Sequence, residues 1–417
     1  MSEPVCSTVD VAVIGGGPAG LAAAAAAARA GANVLLIDRN PQLGGILNQC
    51  IHDGFGLHAF GEVLTGPEFA DRYVRQAIGA GVRLRTRTLV TGLSADGELV
   101  CSRYGARETV RAKATVLAMG CRERTRGMIR IPGARPAGVY TAGTAQWLTN
   151  IGNVRIGRRI VILGSGDIGL IMARRLTWEG AEVAAVIEKL PYPSGLPRNI
   201  NQCLLDYDIP LHLSHSVTCI QGRNRVQGVT VSRFDENGHA DSGSEFELTC
   251  DTLLLSVGLI PENELSRHAG VALDRTTSGA DVTDEYMTSV PGVFSCGNVL
   301  HIHDLADWAA EEGERAGVSA ARYADGGVVR QLQDNASIVV RAGAGVRYVV
   351  PQRIQRGVEE VLLSLRVTAP RGPTTIRAVC GNTIVGELRL RKAHPATMEQ
   401  MSVRTAEAAK DLEVICE

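Results

Sequence analysis

The chain has 417 residues, of which 45% are hydrophobic and 21% charged, a composition typical of a globular protein with a large buried core. Its formal net charge of −1 gives no basic footprint for nucleic-acid binding, and its length predicts two or three compact domains. We expect a cytoplasmic protein, because residues 1–10 lack a secretory signal, no apolar run reaches membrane-spanning length, and the ten cysteines include no C-x-x-C pair.

The first pattern in the chain is a strand, a glycine-rich turn and a helix. An apolar strand at 11–14 leads into the turn GGGPAG at 15–20 and then into an alanine-rich helix. The next apolar strand, 33–37, ends at Asp38. In a dinucleotide-binding fingerprint the glycines let the backbone approach a pyrophosphate at the helix N-terminus, and the acidic residue accepts hydrogen bonds from a ribose. This order therefore predicts a dinucleotide site.

The same order occurs a second time. The strand 159–163 precedes the turn GSGDIG at 164–169, a helix continues through 170–178, and the strand 182–187 ends at Glu188. A carboxylate at that strand end favours the free 2′-hydroxyl of NADH and repels the 2′-phosphate of NADPH. Lys189 follows directly and partly offsets this preference. We therefore predict a second dinucleotide site that prefers NAD to NADP.

Each pattern continues into a segment of alternating apolar and polar residues, 82–113 and 211–249, which predicts antiparallel strands. Each then returns through an apolar strand that ends at a glycine, Gly120 or Gly258. Beyond residue 327, short β-rich runs are separated by Gly, Pro and Asn. These runs lie at 336–340, 347–350, 361–367, 374–379 and 384–390. They predict a small β-sandwich with a structural or partner-binding role.

Six short phrases resemble one class of flavoproteins. They are GGILNQCIH at 44–52, MGCRERTR at 119–126, YTAGTAQ at 140–146, GSGDIGLI at 164–171, LIPEN at 259–263 and CGNVLH at 296–301. Through these phrases, residues 9–325 resemble the pyridine nucleotide–disulfide oxidoreductases. Within that class the chain is most similar to FAD-dependent oxidoreductase subunits encoded with glycerol-3-phosphate dehydrogenases. It is more distantly similar to the α subunits of dye-linked proline dehydrogenase and opine oxidases.

The resemblance implies an α/β fold with two Rossmann-like dinucleotide-binding domains, the first of them discontinuous, followed by the C-terminal β-sandwich. The implied boundaries are 1–120 with 282–327 for the FAD-binding domain, 121–281 for the NAD(P)-binding domain and 328–417 for the C-terminal domain. FAD is expected in the first site and NAD(H) in the second. The residues expected to contact these cofactors are Gly15, Gly17, Pro18, Ala19, Gly20, Asp38, Arg39, Gly45, Ile46, Gly120, Gly164, Gly166, Asp167, Ile168, Gly169, Glu188, Gly258, Gly297 and Asn298.

The chain departs from the class at two places. Asn298 stands where the class usually has an aspartate beside the ribityl chain, which removes one negative charge. Leu47 and His52 occupy the positions of the paired C-x4-C cysteines of disulfide reductases, and the second domain lacks a C-x-x-C. Dithiol–disulfide exchange needs a resolving cysteine, so we do not expect that activity.

Three residues near the implied flavin are catalytic candidates: Cys50, His52 and His303. A Cys50 thiolate would modulate the flavin or form a transient adduct, and packing as a small hydrophobic residue explains it equally well. His303 forms a polar group with His301 and Asp304, for which we expect hydrogen bonding near the flavin. No metal site is expected, because two histidines at i and i+2 without further ligands rarely suffice.

The function expected from these features is hydride transfer from NADH to FAD, and onward to an unidentified acceptor or a dehydrogenase partner subunit. A second hypothesis is an electron-transfer or assembly subunit that holds a structural nucleotide in the second site. A third is a thiol or disulfide reductase that works through Cys50 alone. Homo-oligomers and hetero-oligomers are both compatible with the sequence.

Overall fold

The computed structural model describes residues 6–327, 337–405 and 411–417. Its contacts divide the chain into two compact units, one of Met1–Cys121 with Pro261–Glu417 and one of Arg122–Ile260. Each unit contains a sheet built on one of the two glycine patterns, and a sheet-rich region follows in the first unit. The predicted fold class is therefore confirmed. Residues 261–281 pack with the first unit, whereas the sequence placed them in the second domain.

The first unit opens with a Rossmann-type sheet and its helices. In chain order the elements are β1 (Cys6–Ile14), α1 (Pro18–Arg29), β2 (Val34–Ile37), α2 (Leu57–Phe60), α3 (Gly66–Gly79), β3 (Arg83–Arg85), β4 (Leu89–Leu93), β5 (Glu98–Arg103) and β6 (Ala106–Leu117). β1 lies at the centre, parallel to β2 on one side and to β6 on the other. β4, β5 and β6 are antiparallel neighbours, which is the excursion that the alternating pattern predicted. The turn between β5 and β6 and the turn before β5 use glycines with positive φ, Gly105 and Gly97.

The second unit repeats this design between two short strands that mark its ends. Its elements are β7 (Cys121–Glu123), α4 (Arg126–Ile129), β8 (Val139–Thr141), α5 (Ala142–Asn150), β9 (Arg159–Leu163), α6 (Asp167–Trp178), β10 (Glu182–Glu188), α7 (Pro197–Cys203), β11 (Leu211–Leu213), β12 (His215–Gly222), β13 (Val226–Phe234), β14 (Ala240–Thr249), β15 (Thr252–Leu255) and β16 (Leu259–Pro261). The parallel sheet has the order β11-β10-β9-β15-β8, and β12-β13-β14 form the predicted antiparallel excursion.

After the second unit the chain adds one more strand to the first sheet and then forms a long helix. The elements are α8 (Glu264–His268), β17 (Val293–Ser295) and α9 (Ala306–Ala324). β17 pairs in parallel with β6, so strands that are distant in the sequence complete one sheet. Among the described residues, no helix combines the length and apolar composition needed to cross a membrane.

Helix α9 packs very closely on the alanine-rich helix α1. A Cβ added at Gly313 would lie 2.1 Å from the Ala19 carbonyl oxygen, and one added at Gly317 would lie 2.1 Å from the Ala23 carbonyl oxygen. Because 313 and 317 are one turn apart, both glycines face α1. The two backbones therefore touch without intervening side chains.

The C-terminal region forms a small β-sandwich, as predicted. Its strands are β18 (Ser337–Ala342), β19 (Val346–Val350), β20 (Arg353–Gln355), β21 (Glu360–Val367), β22 (Thr374–Cys380), β23 (Thr383–Leu390), β24 (Glu399–Arg404) and β25 (Leu412–Cys416). One sheet has the order β20-β18-β25-β22-β23, the other β19-β21-β24, and buried residues of both share one core. The predicted strand start at 336 lies outside the described residues. β20, β24 and β25 were not predicted.

The contact between α1 and α9 predicts opposite effects for two glycine-to-alanine changes. Gly317→Ala should destabilise the chain by about 1–3 kcal/mol, because the new methyl group would overlap the α1 backbone. Gly79→Ala is the matched control, since Gly79 is an exposed residue of α3 with no atom within 4 Å of an added Cβ. Gly79→Ala should stabilise the folded chain by about 0.4–1 kcal/mol, because alanine lowers the conformational entropy of the unfolded chain. Urea unfolding measures both, and shifts of the same sign would contradict the close contact.

A second prediction concerns Asp284, which accepts a hydrogen bond from the Gln355 amide at 2.9 Å. Burial raises the pKa of Asp284 from 3.8 to about 6. The folded state therefore resists ionisation, and the free energy of unfolding falls as the pH rises from about 4 to about 6, above which the loss is complete. Asp284→Asn should be close to neutral at about pH 4 and should stabilise by roughly 2–3 kcal/mol at about pH 8.

The measurement is urea unfolding of both proteins at the two pH values, with Asp206→Asn at an exposed aspartate as the control. Asp206→Asn should change the free energy of unfolding by the same small amount at both pH values. A benefit of Asp284→Asn that does not grow with pH would refute the assignment.

Candidate functional site

The first glycine turn connects β1 to α1 by a close backbone approach. The Gly15 amide donates to the Ile37 carbonyl at 2.9 Å, and Gly15 has φ +107°. A Cβ at Gly15 would lie 2.3 Å from the Ala118 carbonyl oxygen, and one at Gly20 would lie 1.9 Å from the Gly15 carbonyl oxygen. These two glycines are therefore required by the fold itself.

Gly17 is a glycine for a different reason. It is the N-cap of α1 with an extended backbone, φ −77°, and no atom lies within 4 Å of an added Cβ. No side chain caps the helix, Pro18 occupies the first turn, and no acidic residue is present there. The first amides of α1 therefore have no side-chain cap, and the protein leaves room for a ligand atom beside Gly17. A helix N-terminus with free amides is a favourable site for a pyrophosphate, so the turn fits the ADP half of FAD.

The side chains and turns around this helix end complete a cradle. The Asp38 carboxylate accepts hydrogen bonds from the Gly16 and Asn40 amides, both at 2.6 Å. Gly45 has φ +59°, and a Cβ there would lie 3.1 Å from the Gly17 Cα. A Cβ at Gly297, which has φ +71°, would lie 2.6 Å from the Ala19 Cβ. The remaining candidates of this unit are placed as follows: Arg39 and Ile46 are exposed, and Gly120 has φ +74°.

Asn298 bridges His303 and Cys121. Its Oδ1 accepts hydrogen bonds from the His303 amide at 2.9 Å and from His303 Nδ1 at 3.2 Å. Its Nδ2 donates to the Cys121 thiol at 3.6 Å. The residue that replaces the usual aspartate therefore orients an imidazole ring.

His303 belongs to a buried group that also contains His301 and Glu312. His301 Nε2 lies 2.8 Å from Glu312 Oε2, and His303 Nε2 lies 3.6 Å from the same oxygen. The other carboxylate oxygen, Oε1, accepts a hydrogen bond from the Gly297 amide at 2.6 Å. Burial acts to raise the pKa of Glu312, but the two imidazoles outweigh it and hold the pKa well below its usual range. Burial lowers the pKa of His301.

Residues of the C-terminal sandwich reach this group. The Tyr348 hydroxyl lies 3.5 Å from His301 Nδ1 and accepts a hydrogen bond from Arg366 Nε at 3.1 Å. Arg366 also donates to the Ile302 carbonyl at 3.0 Å and pairs with Asp304. Sequence reasoning did not identify Glu312, Tyr348 or Arg366. The one available signal was the position of Glu312, on the same helical face as Ala309 and Gly313.

The two other catalytic candidates lie in the segment that follows Gly45. The Cys50 thiol faces the Ile46 carbonyl at 3.4 Å, and His52 Nδ1 lies 2.8 Å from the Asp53 carbonyl. Cys50 is partly exposed, as a reactive thiol requires. Their catalytic roles stay predictions. Cys296, by contrast, is fully buried, and burial raises the pKa of its thiol well above the usual value, which fits a packing residue.

The second glycine turn has the same backbone geometry as the first. The Gly164 amide donates to the Ile187 carbonyl at 2.7 Å, and a Cβ there would lie 2.1 Å from the Ser256 carbonyl oxygen. The Gly169 amide donates to the Ser256 hydroxyl at 3.2 Å. The other candidates here are Gly166, the N-cap of α6, Ile168, which is half-buried in α6, and Gly258, which has φ +101°.

The carboxylates of the second turn differ from Asp38 because a neighbouring loop binds them. Glu188 Oε2 accepts hydrogen bonds from the hydroxyls of Ser165 at 2.5 Å and Ser194 at 2.9 Å. Asp167 Oδ1 accepts from the Leu196 amide at 2.8 Å and from Asn199 Nδ2 at 2.7 Å. Residues 194–199, which include the first turn of α7, therefore lie against this turn.

Lys189, the residue after Glu188, contacts an aromatic ring. Its ammonium nitrogen lies 4.9 Å from the centre of the Phe234 ring, a cation–π contact. Glu188 accepts the Leu190 amide at 2.9 Å with its second oxygen. The charge that faces the turn from this strand end is therefore the carboxylate.

Comparisons with known proteins agree with this geometry. Residues 9–313 match the family model for pyridine nucleotide-disulphide oxidoreductases. A hydrogen cyanide synthase subunit of Pseudomonas protegens, HcnB, is 27% identical over 392 residues, which are 87% of this chain and 80% of that protein. An opine oxidase subunit of Agrobacterium tumefaciens is 27% identical over 402 residues, 91% of this chain and 78% of that one. The structure of T. acidophilum thioredoxin reductase aligns with a TM-score of 0.63 and 25% identity over 76% of this chain and 99% of the other.

Because the protein itself leaves room for a side chain at Gly17, we predict that Gly17→Val separates folding from cofactor binding. The variant should unfold within about 0.5 kcal/mol of the wild type, since no protein atom lies within 4 Å of the new Cβ. It should lose most of its bound FAD, because the side chain occupies the space before the α1 amides.

The ratio of flavin to protein absorbance in the purified protein gives the FAD content. Gly79→Val, at a glycine with equal room and no place in the cradle, should keep its flavin. Full flavin content in Gly17→Val would exclude this turn as the FAD site.

Proposed function

Because the chain belongs to the pyridine nucleotide-disulphide oxidoreductase family, whose members are FAD-dependent oxidoreductases, we propose that it passes a hydride from NADH to FAD and electrons onward to a partner subunit. The observation that supports this most directly is the open N-terminus of α1. Its amides have no side-chain cap and no acidic neighbour in the first turn, and Gly17 leaves the space before them free.

The protein's part in this chemistry is to bind and orient. Bound FAD would supply the redox chemistry, accepting the hydride and releasing electrons singly or in pairs. The α1 amides hold the pyrophosphate, and Asp38 accepts a ribose hydroxyl while the Gly16 and Asn40 amides fix its orientation. Asn298 would hold the ribityl chain with an amide in place of a charge. None of these groups needs to transfer a proton for the hydride step.

The choice of NADH rests on Glu188. Its carboxylate accepts hydrogen bonds from two serine hydroxyls and from backbone amides, which fix its orientation beside the turn. A ribose 2′-hydroxyl would replace the Ser194 hydroxyl as a donor to this carboxylate. A 2′-phosphate has no proton to donate in its ionised form and would be repelled.

The proposed acceptor is a dehydrogenase subunit of the glycerol-3-phosphate or a similar type. Two features support a partner: the resemblance to subunits encoded with such dehydrogenases, and the names of the two relatives, which are subunits of a synthase and of an oxidase. We place the chain in the cytoplasm as part of the same proposal.

A second candidate function is favoured by residues 194–199, which pack on the second glycine turn. Asp167 places a negative charge in the first turn of α6, and residues 194–199 already bind both carboxylates. A site of this kind would suit a nucleotide held without turnover. The chain would then be an electron-transfer or assembly subunit whose flavin is reduced by the partner.

Anaerobic titration of the purified flavoprotein with NADH and then NADPH separates these functions. We expect NADH to bleach the flavin absorbance rapidly and NADPH slowly. Glu188→Gln should lower the ratio of kcat/KM for NADH to that for NADPH by roughly ten- to hundredfold, because a charge-assisted hydrogen bond is lost and the repulsion of the phosphate is removed.

Lys189→Ala is the control, because Lys189 contacts Phe234 and should leave the nucleotide preference unchanged. If neither nucleotide bleaches a flavin that dithionite reduces, the NADH-oxidoreductase function is excluded and the electron-transfer role is favoured. If Lys189→Ala changes the preference as much as Glu188→Gln, the carboxylate does not select the nucleotide.

A further inference from the structure

The buried group formed by His301, His303 and Glu312 brings three metal-ligating atoms together. His301 Nε2, His303 Nε2 and a Glu312 carboxylate oxygen all lie within 4.8 Å of one another. Their side chains are 0%, 2% and 5% exposed. The sequence argument against a metal assumed that the two histidines had no further ligand. That premise does not hold, because the second turn of α9 supplies the carboxylate.

His303 has one ring nitrogen that makes no close hydrogen bond. Its Nδ1 faces Asn298 Oδ1, which can only accept, so Nδ1 carries the proton. In the neutral ring Nε2 then carries a lone pair. The nearest acidic oxygen in the described chain, Glu312 Oε2, is 3.6 Å from Nε2. A buried lone pair that faces a carboxylate is repulsive unless a proton or a metal cation lies between them.

Glu312 and His301 also have hydrogen-bond partners that orient them. Glu312 Oε1 is fixed by the Gly297 amide at 2.6 Å, which leaves Oε2 to face the histidines. His301 Nδ1 faces the Tyr348 hydroxyl, which accepts from Arg366 and can accept from the ring as well. In that tautomer His301 Nε2 carries a lone pair that can bind a cation, whereas in the other neutral tautomer Nε2–H donates to Glu312. Each ligand thus has the kind of outer partner that orients ligands in metal sites.

We propose that His301, His303 and Glu312 form a binding site for one first-row divalent cation, with Zn²⁺ as its probe. Two imidazoles and a carboxylate are ligands that such ions accept, at about 2.0–2.2 Å, and three protein ligands leave a further coordination position free. Ligand atoms around a tetrahedral ion at this distance are separated by about 3–3.5 Å. The two separations from Glu312, 2.8 and 3.6 Å, lie close to that range, and the two histidine nitrogens lie within 4.8 Å of each other. This site is independent of the nucleotide preference proposed above.

The test is Zn²⁺ binding by the full-length, FAD-loaded protein after treatment with a chelator. We expect one Zn²⁺ per chain, measured by elemental analysis after gel filtration and by titration against a chromophoric chelator. His303→Gln removes one ligand and leaves the contact between His301 and Glu312 in place, and it should weaken Zn²⁺ binding at least about tenfold. Tyr348→Phe removes only an outer partner and should weaken binding by less than His303→Gln.

The control is His215→Gln. His215 and His212 form another histidine pair, with ring centres 5.8 Å apart, to which Zn²⁺ could bind adventitiously. This variant should bind Zn²⁺ like the wild type. Less than about one-tenth of an equivalent in the wild type, or equal binding by the wild type and His303→Gln, would overturn the proposal.

Should His303→Gln fail to fold, the wild-type stoichiometry and Tyr348→Phe still decide the question. The competing arrangement is a proton on His303 Nε2, which pairs the imidazolium with Glu312. It predicts no Zn²⁺ uptake by the wild type and no effect of Zn²⁺ on its thermal unfolding, whereas a bound ion should raise the unfolding temperature.

Discussion

The contact of α9 with α1 is the constraint on which the rest of the first unit depends. Gly313 and Gly317 bring the α9 backbone against the Ala19 and Ala23 carbonyls, and side chains at either position would push the helices apart. At this separation Gly297 reaches Ala19 at the N-terminal end of α1. Glu312, one residue before Gly313, then reaches the Gly297 amide. The open helix end, the loop beside it and the buried carboxylate therefore follow from one close packing of small residues.

The two glycine turns share a backbone design and differ in what surrounds it. At the first turn the helix end has no acidic residue, and backbone amides bind Asp38. At the second turn Asp167 begins the helix, and serine hydroxyls bind Glu188. An anionic pyrophosphate gains more from the first environment, because no fixed negative charge opposes it in the first helical turn. This difference supports a tightly held cofactor at the first turn and a weaker, exchangeable or structural nucleotide at the second.

The parts of the fold that local sequence determines were predictable. Both strand–turn–helix patterns, both excursions and the sandwich depend on periodicity and on glycines at turns, which can be identified from a short window. The strands Arg353–Gln355 and Leu412–Cys416 were missed because they are short, and the second pairs with a distant partner. Glu312 was missed because α9 contains other glutamates, at 311 and 314, and only the packing against α1 distinguishes the buried one. Arg366 and Tyr348 contact residues far away in the chain, a separation over which sequence patterns carry no signal.

Buried polar contacts connect the C-terminal sandwich to the loop that carries His301 and His303. Arg366 is buried and binds the Ile302 carbonyl, Asp304 and the Tyr348 hydroxyl, and Tyr348 in turn faces His301. A buried guanidinium is costly unless its donors are satisfied, so these contacts fix the loop 301–304 against the sandwich. The same loop begins at Gly297 and Asn298, which border the proposed FAD site. The sandwich therefore holds the loop that carries His301 and His303 and contacts the His301 ring through Tyr348, so the β-domain is a structural part of the region beside that site.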